Sequence, residues 1–221
     1  MQSRIRKRRS IEGTRRFRIF KVACFSLVLT SCTTNQKNQN TTNSLEADFA
    51  SRVCLNSTGR GRLKVSSQEN RFTYQAAVKD LDYTLGIDIP FKGQETLTLP
   101  LGSKKNLGGS LYQKVSKSLL KKRKLKAVQL FDDFLLQSAK FFDGISKVQN
   151  SQCSDSQCLN GQILKTDKGE QFRSAWSDEY ELVIDFGRLR SGMYQSIRVK
   201  ALHMKSKKNP LSLDLALDSC Q

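Results

Sequence analysis

The chain is expected to be mostly β with α, an α+β domain of antiparallel strands interrupted by helices, and three features of its apolar pattern lead there. Apolar residues alternate with period two from Arg62 to Leu101, recur at helical spacing from Leu111 to Ile145, and return to alternation from Gln162 to Leu217. Alternation places one set of side chains on one face of a strand, whereas the longer spacing draws a stripe along a helix. Polar residues between the apolar ones fit antiparallel hairpins with one wet face.

The elements follow in order. Leu45, Phe49 and Val53 recur every fourth residue behind Asn43 and Ser44, with Glu46 in the first turn, which predicts a short capped helix at the start of the domain. Leu63 and Val65 make a first strand, Gln68-Glu69-Asn70 a turn, and Phe72, Tyr74, Ala76 and Val78 a second strand that breaks at Asp80. Tyr83, Leu85, Ile87 and Ile89 make a third. After Pro90 to Gly93 comes a fourth, carrying Leu97, Leu99 and Leu101. The loop from Gly102 to Gly109 is too glycine-rich and basic to continue the sheet.

Leu111, Val115 and Leu119 predict helix, as do Val128, Phe131, Leu135, Phe142 and Ile145, ending near Gly144. Between them lie Lys121-Lys122-Arg123-Lys124 and Lys126, read as a solvated face at which no site is placed. Five more strands are expected: Gln162 to Lys165, Gln171 to Trp176, Tyr180 to Phe186, Gln195 to Met204, and Leu211 to Leu217.

The N-terminus carries a different signal. The first twenty-one residues hold nine basic side chains against Glu12, and Val22 to Ser31 is uncharged and mostly apolar. That run is about half of the roughly 20 residues a membrane-spanning helix requires, so it reads as the apolar region of a signal peptide. Leu29-Thr30-Ser31-Cys32 then resembles the lipobox of bacterial lipoprotein precursors. The resemblance implies that residues 1–31 are a lipoprotein signal peptide and that Cys32 becomes the lipidated first residue, carrying a diacylglycerol and an amide-linked acyl chain such as palmitate. Two or more chains, at about 0.8 kcal/mol per buried methylene, anchor a protein where one does so only marginally.

With Cys32 lipidated, residues 32–44 become a tether. Thr33 to Ser44 has no apolar residue, so it cannot offset its conformational entropy by burial, and twelve such residues reach roughly 20 Å. Residues 45–221 then form a single domain. Removing residues 1–31 takes away nine of the 38 basic side chains and one of the 20 acids, so the mature chain keeps a net charge of +10. Excess Lys gives a soluble surface or a contact with anionic lipid or glycan. Nucleic acid is not an expected partner of a cell-envelope domain.

Six Cys reduce to four once Cys24 leaves with the signal and Cys32 is lipidated. An even number in an exported chain points to disulfides. Three connectivities are possible; spacing favours Cys153 with Cys158, which leaves Cys54 for Cys220. No metal or cofactor is expected, since tetrahedral zinc needs several thiolates or imidazoles and His203 is the lone imidazole.

No catalytic constellation emerges, and the chain is expected not to be an enzyme. A Ser or Cys nucleophile needs a base within reach, and His203 stands alone near a strand end. Asp132-Asp133 and Asp178-Glu179 are adjacent acids that diverge rather than flank a substrate. No glycine-rich phosphate loop follows a strand.

Four strands, a helical middle and about five further strands resemble the LolA and LolB family, which localises lipoproteins to the outer membrane. Phe72-Thr73-Tyr74, Tyr83-Thr84-Leu85-Gly86-Ile87 and Pro90-Phe91-Lys92-Gly93 followed by Glu95-Thr96-Leu97 are similar to its first hairpins, and Tyr180 to Asp185, Ile197-Arg198-Val199 and Leu211 to Leu217 to its closing strands. Three features depart from the pattern: the Trp usual late in the second strand is Val78 or absent, Tyr194 or Gln195 stands where a Pro is usual, and four Cys are foreign to most LolB proteins.

The resemblance implies an incomplete antiparallel β-barrel of about nine to eleven strands covered by helices. Its concave side would take acyl chains of lipoproteins or lipids, handed over by a periplasmic LolA-like carrier, and deliver them to the membrane. Cys32 selects the LolB side of the family, and Thr33, rather than Asp, after the lipidated Cys favours the outer membrane, facing the periplasm. The resemblance also implies that Phe91, with Lys92 beside it, contacts the membrane. A turn normally carries Asn, Asp or Ser at such a place, so the ring either folds back onto the domain or projects. The competing class is a non-enzymatic envelope binding or structural lipoprotein with the same sheet and a filled core.

Overall fold

A computed structural model describes residues 44–66, 68–102, 106–153 and 158–221. The signal peptide, Cys32 and the tether up to residue 43 lie outside the described residues. Ser44, expected to end the tether, is already helical.

Helix α1 (residues 44–51) opens the domain. Strands β1 (Ser57–Val65), β2 (Gln68–Lys79), β3 (Asp82–Ile89) and β4 (Gly93–Pro100) follow, then α2 (Ser110–Lys121) and α3 (Leu125–Gln149). The chain finishes with β5 (Gln162–Thr166), β6 (Gly169–Ala175), β7 (Tyr180–Phe186), a ribbon of β8 (Leu189–Arg190) and β9 (Met193–Tyr194), β10 (Ser196–His203) and β11 (Leu211–Cys220). Nine strands form one sheet in the order β4-β3-β2-β1-β11-β10-β7-β6-β5, with every pairing antiparallel. Its edges, β4 and β5, do not pair with each other, so the sheet is not closed into a barrel. No helix of the described residues is long and apolar enough to cross a membrane.

The core lies on one face of this sheet. Inward positions of β2, β3, β7, β10 and β11 are buried in alternation, as at Tyr83, Leu85 and Ile87. Helix α3 crosses that face and stacks Phe142 on Tyr83, with ring centroids 4.4 Å apart, while Phe141 meets Phe172 at 4.9 Å. Phe49 of α1 packs edge-on to Phe186 at 4.9 Å. Aromatic pairs in these geometries add to what their burial contributes.

Several boundaries differ from the sequence reading. β1 starts at Ser57, five residues before the apolar alternation, because two of its core-facing positions are Gly59 and Gly61. The Phe72 ring lies 2.1 Å from where a Cβ on Gly61 would stand, and the Ala216 carbonyl oxygen 2.0 Å from one on Gly59. Neighbouring strands thus supply the bulk that these positions lack, and no apolar side chain marks the strand. Gln68-Glu69-Asn70, expected as a turn, belongs to β2, since Val65 pairs with Gln68 across a two-residue connection. Gly144 does not end α3. It lies inside the helix where a Cβ would sit 2.8 Å from Leu159 Cδ2 and 2.9 Å from the Cys158 carbonyl oxygen. The ribbon β8–β9 was not foreseen, because two-residue strands show no period.

Cys54 and Cys220 stand at disulfide distance, with Cα atoms 5.8 Å apart, as do Cys153 and Cys158 at 5.8 Å. The first pair ties the segment before β1 to the end of β11, where Ser57 faces Cys220 in the ladder. The outer face of the sheet is polar, with cross-strand ion pairs such as Arg62 and Arg198 sharing Asp214 at 2.5 and 3.0 Å.

Candidate functional site

Three turns meet at one end of the sheet. Register places the β1–β2 and β3–β4 turns there together, because Val65 faces Gln68 and Ile89 faces Gly93. The β10–β11 turn joins them through the Ser66 amide, which donates to the Pro210 carbonyl at 2.7 Å.

The β3–β4 turn carries the first candidate feature. The Lys92 amide donates to the Ile89 carbonyl at 2.9 Å, Pro90 takes the second position, and Phe91 takes the third with φ of 64°. This is the pattern of a type II turn, whose third position prefers Gly or Asn. An L-residue in the left-handed region costs about 1 kcal/mol or more, and here that residue is aromatic. Of the two sequence readings of Phe91, the structure places the ring outward, fully exposed to solvent. Lys92 lies beside it, with Nζ 3.4 Å from Asn70 Oδ1.

The second feature is a groove next to this turn. It has a volume of about 190 Å³, and Val65, Ile89, Leu111, Val115 and Leu119 give it an apolar lining with Lys92 at its rim. Helix α2 forms one wall and the ends of β1 to β4 the other. Its start is clamped to β4: the Ser110 amide donates to Thr96 Oγ1 at 3.2 Å, and the Thr96 amide donates to Ser110 Oγ at 3.0 Å. Gly109, at φ of 95°, passes so close to Thr96 that a Cβ there would lie 2.2 Å from its carbonyl oxygen.

Glu95 adds a polar pin between α2 and β4. Its carboxylate is buried and accepts from Lys114 Nζ, while Oε2 has no partner among the described residues. The bond from Lys114, then one from Ser110, holds the carboxyl below its ordinary 4.5, so it stays ionised at neutral pH.

The other candidate residues do not converge. Asp132 and Asp133 lie in succession on α3, where burial raises the Asp132 carboxyl and its oxygen Oδ1 has no partner among the described residues. Asp178 and Glu179 sit exposed in the β6–β7 turn. His203 Nδ1 accepts from the Ser206 amide at 3.2 Å, and its ring stands edge-on to Tyr180 at 5.1 Å, which is a structural role. Among the described residues no group of three His, Cys, Asp or Glu side chains could hold a metal ion.

A larger trough, of about 890 Å³, opens on the polar face of the sheet. Arg62 and Arg198 face Asp214 and Lys200 faces Asp185 at 2.6 Å within the trough, and Arg60, Arg71 and Arg173 pair with Asp218, Glu69 and Glu181 outside its lining, so most of its positive charge is already matched. The apolar groove beside an exposed aromatic is the better candidate. No family model matches this chain. No curated protein matches it either.

Proposed function

We propose that this is a lipid-anchored cell-envelope protein of LolB-like type, held by Cys32 in the outer membrane and facing the periplasm. In this reading it takes acyl chains of lipoproteins or lipids, from a LolA-like carrier, and delivers them to the bilayer. The observation that carries the reading is the conjunction of Phe91 and the groove. A ring at full exposure in a left-handed position adds no packing to the fold, and in the chain it stands between Ile89 and Lys92, which line an apolar groove.

The groove's size sets how delivery works. At about 30 Å³ per water-sized group, 190 Å³ admits about six such groups, the end of an acyl chain rather than its whole length. Full entry requires α2 to move away from β4, against the Ser110–Thr96 clamp and the Lys114–Glu95 pin. A carrier that binds its cargo by the tip and releases it when the helix closes is suited to handing on rather than storing.

One observation favours a second reading, the non-enzymatic envelope binding or structural lipoprotein with a filled core. Phe131, Phe134, Phe141 and Phe142 of α3 are all buried against the sheet, so most of the space between helices and strands is occupied. A groove-filling substitution separates the two. Val115→Trp should leave the thermal midpoint within a few degrees of the parent and weaken a fluorescent palmitate analogue at least tenfold. Absence of binding by the parent, or equal binding by the variant, would leave the filled-core reading standing.

A further inference from the structure

We propose that the turn between α2 and α3 is a second membrane-contact site, selective for anionic lipid, on the same end of the domain as Phe91. It rests on the membrane-facing orientation proposed above, but not on acyl transfer.

Residues 120–126, Leu120-Lys121-Lys122-Arg123-Lys124-Leu125-Lys126, are all exposed and include five cations and no acid. A solvated basic face explains the cations. It does not explain the leucines, of which Leu120 is 48 % and Leu125 69 % exposed.

The turn also departs from what the fold alone would select. α2 ends in a Schellman motif, in which the Arg123 amide donates to the Leu120 carbonyl at 2.8 Å and the Lys124 amide to the Leu119 carbonyl at 3.1 Å. The left-handed position of that motif is usually glycine; here it is Arg123, with φ of 53°. One cation at the end of α2 suits the helix dipole, but Lys124 and Lys126 sit at the start of α3, where positive charge opposes it. α3 has no acid in its first turn and no side-chain cap. The ion pairs of this helical pair lie elsewhere, Lys114 with Glu95 and Lys147 with Asp143. An anionic, partly apolar surface would offset all three features at once: the strained Arg, the opposed dipole and the exposed leucines.

Its place in the fold agrees. α2 starts on Thr96 and runs toward the β3–β4 turn, since Ser118 and Leu119 near its end share the groove with Lys92 and Gln68. Leu119 and Lys92, next in sequence to the basic turn and to Phe91, therefore line one groove. Lys205, Lys207 and Lys208 are exposed in the β10–β11 turn at the same end. Two apolar tips set in basic rims give a surface that meets a bilayer in one orientation. Cations near an anionic leaflet each contribute on the order of fivefold in binding.

The test uses the chain from Thr33 to Gln221, which contains the whole sheet and both cysteine pairs, with vesicles of phosphatidylcholine alone or with one-third phosphatidylglycerol. Arg123→Gly combined with Lys122→Gln and Lys124→Gln relieves the turn while removing three charges, so the thermal midpoint should hold or rise. Binding to the anionic vesicles should fall at least tenfold, and binding to the neutral ones should stay as in the parent. Leu125→Ser should weaken anionic binding severalfold.

Unchanged anionic binding in the triple variant would overturn the proposal, as would a parent that binds both vesicles equally. So would a variant that loses only a soluble polyanionic glycan, because the turn would then be a glycan contact. A parent that binds neither vesicle overturns the membrane-facing orientation itself.

Discussion

Replacing Cys54 and Cys220 by serine should lower the stability of the domain by about 5 kcal/mol, as the chain-entropy relation gives for a bond spanning so long a loop. The two residues are 166 positions apart, so the bond removes much of the freedom of the unfolded chain. The site in the fold adds to this. β1 and β11 are the central pair of the sheet, and the bond holds their outer end, where Ser57 faces Cys220. Cys54 is also buried, so serine there brings a hydroxyl into a site built for sulfur. Domains of this kind are stable by about 5 to 15 kcal/mol in all, and the double variant should be marginal at 25 °C. Serine at Cys153 and Cys158, 5 positions apart, should cost only about 2 kcal/mol by the same relation. Denaturant titration of the two double variants checks the order; equal losses would contradict it.

Phe91→Gly is the second, and its effect should appear in binding rather than stability. At φ of 64° glycine relieves backbone strain while adding chain entropy to the unfolded state, so the two effects nearly cancel, and stability should change by less than about 1 kcal/mol. The exposed ring contributes no packing that could be lost. Burying a Phe side chain in the bilayer is worth about 1.5 to 3 kcal/mol, so vesicle association of the chain from Thr33 onward should fall by roughly 10- to 100-fold. Neutral vesicles are the stricter assay, because charge does not contribute there. A stability loss above about 2 kcal/mol would show that the ring packs in solution, and undiminished association would show that it does not enter the bilayer.

How much of this was legible in the sequence depended on whether a residue's role leaves a period. The strands with Tyr83, Leu85 and Ile87, or Leu211, Leu213 and Leu215, were legible because burial on one face requires alternation. β1 was not fully legible: Gly59 and Gly61 face the core but carry no side chain, and their cover comes from Phe72 and Ala216 on other strands. Gly144 was misread for a related reason. A glycine inside a helix looks like its end until the close approach of Cys158 and Leu159 is seen.

The groove was out of reach. Leu111, Val115 and Leu119 form a stripe that looks the same whether it faces a filled core or a cleft. The meaning of the α2–α3 turn lies in what surrounds it, and only the register of β1 to β4 together with the course of α2 brings Leu119, just before it, to the groove that Lys92 lines. Count and spacing, by contrast, already favoured the two cysteine pairs that stand at disulfide distance.

Transfer itself is the most direct test of the central claim. The chain from Thr33 to Gln221 is loaded with a fluorescent diacylated lipopeptide and mixed with vesicles of mixed phosphatidylcholine and phosphatidylglycerol, and movement of the label is followed by energy transfer to a dye in the bilayer. A soluble complex between protein and lipopeptide is expected, followed by transfer that slows at least tenfold in Phe91→Gly and is lost in Val115→Trp. A protein that forms no such complex, or transfer at the same rate in the parent and both variants, would contradict that claim.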